Sequence, residues 1–494
     1  MAKGDQLLAY ADRFGGSIAG MHSLLKHHFD GCFSGVHLLP FFYPIDGADT
    51  GFDPIDHRVV DNRLGSWEDI QSLASTIDVT ADLIVNHISA DSREFSDFRH
   101  NGDQSRYADL FLTAQKVFPE GITESDRAQI YRPRPTDPFT PCDLETGGHV
   151  SLWTTFTAKQ LDIDVGSEPA KKYLRDVLRA LAAGGIKTVR LDAIGYAVKK
   201  AGSSCYMLPE TFEFMDEVSN WVRELGMTSL AELHAHYEHQ LRASKHVDYV
   251  YDFALPPLVL HALGERTSSA LKQWFSICPH NAITVLDTHD GIGVMDVGSD
   301  PMDRSRPGLV SPGDIDRLVE RIHEHSAGVS KRASRQDVGN LDLYQVNCTY
   351  YDALARDDHD YLLARAIQFF APGTPQVYYV GLLAGENDVD RLEGTAQGRE
   401  VNRAFFSAEQ IERSLERPVV DRLLRLIRFR NTFQAFAGDI EILDSSDDEL
   451  IIRRWSDTAS AELSVNFESR AFEIRCESAD GKVRYSDFSE LPEQ

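Results

Sequence analysis

Three carboxylic acids stand at the ends of short apolar runs: Asp192 in VRLDAIGY, Glu232 in SLAELHA and Asp290 in AITVLDTHD. Each run has the length and composition of a buried strand, and each acid sits where the strand would leave its core. Arg190 lies two residues before Asp192, on the same face of an extended chain. His87 closes a similar run, ADLIVNH, and His289 precedes Asp290. A buried acid is costly unless it is paired. Any one of these alone reads first as half of a structural ion pair; three, with two histidines and an arginine, read as a site. Two carboxyl groups facing one bond are what glycosidic cleavage needs, and in the retaining form they stand roughly 5–5.5 Å apart. One must be an acid with a raised pKa and the other ionised, so their surroundings must differ. Arg190 is placed to keep Asp192 ionised.

Such a set can meet only if the strands carrying it share a rim. The chain offers eight candidate strands: QLLAY near 8, GVHLLPFF near 38, ADLIVNH near 84, KTVRLDA near 190, SLAELHA near 232, VDYVYDF near 250, AITVLDTHD near 286 and TPQVYYVG near 377. Helical patterns lie between many of them. In EPAKKYLRDVLRALAAGG, Leu174, Val177, Leu178 and Leu181 fall at helical spacing and Gly184 suits the C-terminal cap. The alternation predicts an α/β fold, a closed (β/α)8 TIM barrel with reactive groups at the C-terminal strand ends; a doubly wound open sheet is the competing arrangement. The barrel is expected from residues 1–87, 167–290 and 356–435. Residues 88–166 are too long and too rich in prolines and aromatics for a simple loop, and read as an inserted domain. Residues 291–355, with the helical GDIDRLVERIHEHS, read as a second insertion. Alternating stretches such as ELIIRRW and AELSVNFES predict a small antiparallel β domain over 436–494.

The 494 residues carry a formal net charge of −27, which argues against nucleic-acid or anionic-membrane partners. An anionic substrate would need local arginines. MAKGDQLLAYADRF has no apolar signal core, no segment is apolar enough to span a bilayer, and a cytoplasmic enzyme is expected. Six scattered cysteines, with no CxxC, read as reduced thiols, and no metal-ligand cluster or cofactor motif appears.

DLIVNH, VRLDAIGY, AELH and VLDTHD, in this order, resemble the four signature segments of the α-amylase superfamily. GADTGFDPIDH, IYRPRP, DAIGYAVKKAGSSC, VYDFALPPL, LDTHDGIGV, NLDLYQVN and PQVYYVG narrow the resemblance to its sucrose phosphorylase branch, from the first strand to about residue 435. The resemblance implies Asp192 as nucleophile, Glu232 as general acid/base and Asp290 as transition-state stabiliser. It places His87, Arg190 and His289 around glucose, Asp49 and Arg399 on the far side of the ring, and Phe52 against its apolar face. Phe156, Tyr196, His234 and Gln345 would line the acceptor side. Phe52 and Phe156 read equally well as core aromatics.

Phosphate attack requires a cation at the acceptor side and poor access for water. By its residues RPRP is a stiff exposed loop; the resemblance makes Arg134 a phosphate ligand. It also gives Asp342 a hydrogen bond to the fructosyl group and has Leu343 and Tyr344 shape the phosphate pose. The implied reaction takes sucrose and phosphate to α-glucose 1-phosphate and fructose; sucrose 6′-phosphate, glucosylglycerol or glucosylglycerate phosphorolysis, or an α-glucosidase, are the alternatives. A homodimer is implied as well. Amylases bind calcium through a histidine four residues after the nucleophile; Tyr196 stands there, so no structural calcium is expected. Lys331, Arg332 and Arg335 read as a solvated loop, or as a surface for an anionic leaving group.

Overall fold

The computed structural model describes residues 4–47, 49–133, 136–336, 345–395 and 397–493. Eight strands form its centre: β1 (Gln6–Ala9), β2 (Gly35–Leu38), β3 (Asp78–Ile84), β4 (Thr188–Asp192), β5 (Thr228–Ala231), β6 (Tyr249–Asp252), β7 (Ala282–Thr284) and β8 (Thr374–Tyr378). They close in the order β1-β8-β7-β6-β5-β4-β3-β2, and every neighbouring pair is parallel. The eight expected strands are thus all present, and closure removes the open sheet from consideration. Strands covered on both faces lose the in–out alternation of burial, and β4 is buried at all five residues.

The helix Glu168–Ala183 shows how the outer ring forms. Ser167 caps it by accepting from the Ala170 amide, Pro169 falls in its first turn, and Tyr173, Leu174, Val177, Leu178 and Leu181 are buried as one stripe. Gly184 caps it in right-handed conformation, and the left-handed turn falls to the next residue, Gly185, at φ +87°. Gly184 is needed for space: a Cβ there would meet the Trp67 ring at 2.4 Å.

The connection from β3 to β4 holds the helix Arg93–Asn101 and the antiparallel pair Phe139–Asp143 with His149–Trp153. It returns through Gln160–Asp162, which pairs with His87–Ser89 at the end of β3. The helix expected in the second long connection spans Pro312–His325. Beyond the barrel, five strands form one antiparallel sheet, β9 (Asp439–Leu443), β10 (Glu449–Trp455), β11 (Ser460–Asn466), β12 (Phe472–Ser478) and β13 (Gly481–Tyr485). Leu450 and Ile452 on β10 and Ala461, Leu463 and Val465 on β11 alternate inward, as the expected period of two requires. All six cysteines are free, five of them buried. Among the described residues no helix is long and apolar enough to cross a membrane.

Candidate active site

Asp192 is the last residue of β4 and Glu232 follows β5 directly. Asp290 departs from expectation: β7 ends at Thr284, and the chain runs on as VLDTHD along the rim. Side-chain bonds replace the strand ladder there. Arg365, fully buried, donates to both Asp287 oxygens at 2.9 and 2.8 Å, and Asn402 donates to the Thr288 carbonyl at 2.8 Å.

Arg190 stands at the centre of the acids. It donates to Asp82 on the neighbouring β3, to Asp192 Oδ1 at 2.8 Å, and reaches Glu232 Oε1 at 3.2 Å. The expected contact with Asp192 is present, and the same guanidinium is shared with two further carboxyls. Burial therefore pushes the Asp192 carboxyl well above the usual range, with Glu232 and Asp82 adding to the push and Arg190 opposing it. Burial alone would lower Arg190; Glu232, Asp82 and Asp192 raise it far above its ordinary value. The residue after the nucleophile candidate, Ala193, holds a left-handed φ of +52°, unusual for a residue with a Cβ. That turn aims its amide at Glu232 Oε2, 3.0 Å away. Beneath this group a buried chain runs across the barrel: Tyr251 bonds Gln376 and His37, and His37 bonds Asp82 at 3.1 Å.

Asp290 has the opposite surroundings. Burial works against its ionisation, but Arg399, His289, His234 and Arg403 overcome it and hold its carboxyl far below the usual range. Arg399 makes the closest contact, Nη1 to Oδ1 at 2.9 Å. His289 Nε2 lies 3.8 Å from Oδ2, and burial pulls that imidazole well below its ordinary value. Its ring stacks on Phe52 with centroids 4.9 Å apart and planes 11° apart. Phe52 also lies under the Arg190 guanidinium, and its carbonyl bonds His87 Nε2 at 2.9 Å. Asp49 starts the same loop and is partly exposed.

The remaining predicted residues gather beside this core. Phe156 packs edge-on to His87 and to Tyr196. Tyr196 is buried against Tyr206. Gln345 begins a two-residue strand paired with Ile292–Gly293, just after Asp290. His234 stacks on Phe253 at 3.9 Å, with Nε2 3.9 Å from both Glu232 Oε1 and Asp290 Oδ2. Glu232, His234 and Asp290 offer donor atoms within 4.8 Å of one another, the one such group among the described residues. Arg134, Asp342, Leu343 and Tyr344 lie outside the described residues. Lys331 and Arg332 belong to a helix, Val329–Gln336, and sit beside Glu320 and Glu393 at its surface.

Sequence reasoning missed five participants. Asp82 carries no local signal, since only the β3–β4 register sets it opposite Arg190. Arg403 donates to the His289 carbonyl at 2.8 Å, and Asn402 holds the same loop. Asp296 bonds His234. Lys199, nearly fully buried, gives its ammonium to Asn86 at 2.6 Å, to Asp162 and to the Tyr196 carbonyl. It ties the end of β3, the returning Gln160–Asp162 strand and the β4 loop together.

A family model for the α-amylase catalytic domain matches residues 4–292. The sucrose phosphorylase of Agrobacterium vitis is 52% identical over 463 residues, covering 94% of each chain. That of Bifidobacterium adolescentis is 48% identical over 459 residues, 93% of this chain and 91% of the other. The chain belongs to the sucrose phosphorylase branch of the α-amylase family. A solved sucrose 6F-phosphate phosphorylase from Thermoanaerobacter thermosaccharolyticum superposes with a TM-score of 0.90 at 36% identity, covering 99% and 98% of the two chains. The branch is therefore one of glycosyl-transferring phosphorylases, and its signature segments here are the rim segments that carry the three acids.

Proposed function

We propose that the protein is a retaining phosphorylase that converts sucrose and inorganic phosphate to α-D-glucose 1-phosphate and D-fructose. The observation that carries this reading is the convergence of the three acids: the Arg190 guanidinium contacts Asp192 and Glu232, and Asp290, held by Arg399, lies close to Glu232. The reaction needs a proton on Glu232 and a charge on Asp192, and Arg190 contacts both carboxyls. Glu232 then protonates the fructosyl oxygen as Asp192 attacks glucose C1 from the other face, giving a glucosyl ester on Asp192. Asp290, fixed by Arg399, stabilises the positive charge that develops on the sugar. His87 and His289 donate hydrogen bonds to glucose hydroxyls, Phe52 backs the ring's apolar face, and Asp49 and Arg399 close its far side. Phosphate then attacks C1 with a second inversion, which returns the α configuration.

Phe156, Tyr196, His234 and Gln345 form the acceptor side, with Asp342 held for fructose and Arg134, Leu343 and Tyr344 for phosphate. The surface position of Lys331 and Arg332 favours fructose over fructose 6-phosphate as leaving group, because neither cation is held for a second phosphate. We extend the reading to a cytoplasmic homodimer that needs no cofactor. The test is to incubate the protein with sucrose, with and without phosphate, and to assay glucose 1-phosphate and glucose separately. Phosphate-dependent glucose 1-phosphate with little glucose is expected; glucose regardless of phosphate would make the protein a hydrolase. Absence of either product would turn the test to sucrose 6′-phosphate, glucosylglycerol and glucosylglycerate.

A further inference from the structure

Once glucose is bound to Asp192, phosphate and water compete for one carbon. The two need different things. Water must lose a proton to Glu232 as it attacks. Hydrogen phosphate already carries an anionic oxygen; it forms the new C1–O bond while the C1–O bond to Asp192 breaks and its electron pair returns to that carboxylate. Phosphate instead needs a positive charge nearby, because it approaches Glu232 and Asp290, both negative at that stage.

His234 is placed to add to the charge that Arg134 brings in the reading above. Its Nε2 edge lies 3.9 Å from Glu232 and from Asp290, beside the atom that exchanges the proton. Its other nitrogen faces Asp296, whose Oδ2 lies 3.3 Å from Nδ1. Asp296 is fully buried. Its Oδ1 accepts from the Ala235 amide at 3.1 Å and from Gln240 at 3.3 Å, so the carboxylate is fixed by the chain that follows β5. Two further features are built around the same pair. A Cβ on Gly293 would stand 2.2 Å from Asp296 Oδ2 and 3.2 Å from His234 Nδ1, so only glycine lets the loop pass over them. Gly293 is also the register partner of Gln345, which joins this pair to the acceptor-side strand. Phe253, stacked on the imidazole, fixes its plane.

We propose that Asp296 is a positioning residue for the choice of nucleophile: it orients His234 and holds a proton on it, so that a cationic edge favours phosphate over water. This rests on the phosphorolysis proposed above. The charged groups facing the imidazole are Asp296 on the β7 loop, Glu232 after β5 and Asp290 on the rim. Burial drives His234 toward the neutral form, and those three carboxylates outweigh it and raise it above its ordinary value. Which nitrogen of an imidazole carries the proton is set by the hydrogen bond that the other nitrogen makes.

The test is Asp296→Asn in the full chain, which keeps the side chain's shape and removes its charge. The expected result is a fall of about tenfold in the ratio of glucose 1-phosphate to glucose, with a raised KM for phosphate and a smaller change in the hydrolysis rate. Phosphate titrates identically with both enzymes. The pH above which phosphate capture declines should therefore move down in the variant by about one unit. A general structural lesion would instead lower both products together and leave the ratio and pH profile alone, which would overturn the proposal. Should the variant not fold, the unaltered enzyme can be assayed across pH at constant hydrogen phosphate dianion. A ratio that falls as His234 loses its proton supports the role, and a ratio independent of pH overturns it. If the unaltered enzyme makes no glucose 1-phosphate at all, it is the phosphorolysis reading that fails.

Discussion

Two of the buried arginines in this molecule have opposite consequences. Arg190 lies on the barrel rim among Asp82, Asp192 and Glu232, and those acids raise its pKa far above normal despite burial. Arg454 lies on the inner face of β10, among apolar side chains, with no carboxylate partner among the described residues. It donates to the carbonyls of Phe370 and Ala371, at the C-terminal end of the barrel helix Asp358–Phe370. Burial, with Arg430 adding, lowers Arg454 to about 9. Both are held by hydrogen bonds and both join two parts of the fold. Only the first concentrates charge that can respond to a reacting bond. Arg454 completes the end of a helix, a structural task. Burial of a charge is thus a poor marker of function, whereas a cation shared by several acids at strand ends is a good one.

The contrast can be broken at several points. Asp192→Ala should reduce turnover by roughly four orders of magnitude or more, measured as fructose release, without unfolding the chain. Residual activity near that of the unaltered protein would remove Asp192 from the nucleophile role. Glu232→Gln should lose roughly 10²- to 10⁴-fold on sucrose, whose leaving group needs a proton. It should recover most of this on α-glucosyl fluoride, whose leaving group does not, and equal losses on both substrates would contradict a general-acid role.

The two arginines sharpen the comparison directly. Arg190→Met leaves buried carboxyls without their cation, so it should cost about 3–5 kcal/mol in urea unfolding and abolish activity. Arg454→Met should cost about 1–3 kcal/mol through the freed carbonyls, with kcat unchanged. Similar effects on kcat from both would erase the distinction. At the small end, a calcium chelator should change neither Tm nor activity, because the Lys199 ammonium already satisfies Asn86, Asp162 and the Tyr196 carbonyl. A Tm that drops with chelator and returns with calcium would show a cation site there.

The period of two in ELIIRRW and AELSVNFES, and the apolar runs between helical stripes, made both the sheet and the barrel readable from sequence. The acids were readable because each ends such a run. Asp290 was only half readable: its segment is apolar enough for a strand, but side-chain bonds from Arg365 and Asn402 hold it as a loop. Asp82 and Asp296 were invisible for a shared reason. Each acts across the structure, Asp82 through strand register and Asp296 through a loop that folds back over Gly293, and no local pattern records either. The sharing of Arg190 was missed likewise, since spacing along β4 shows Asp192 but not its neighbours on β3 and β5.

The central claim is that Asp192, at the end of VRLDAIGY, takes glucose in a covalent bond. Incubating Glu232→Gln with α-glucosyl fluoride, quenching in acid and mapping peptides by mass tests it most directly, because the variant forms the ester faster than it can release it. A peptide containing Asp192 should be heavier by one anhydroglucose residue, and the added mass should be lost when phosphate is added before the quench. The same mass on a peptide carrying Asp290, or no labelled peptide while glucose is released, would contradict it.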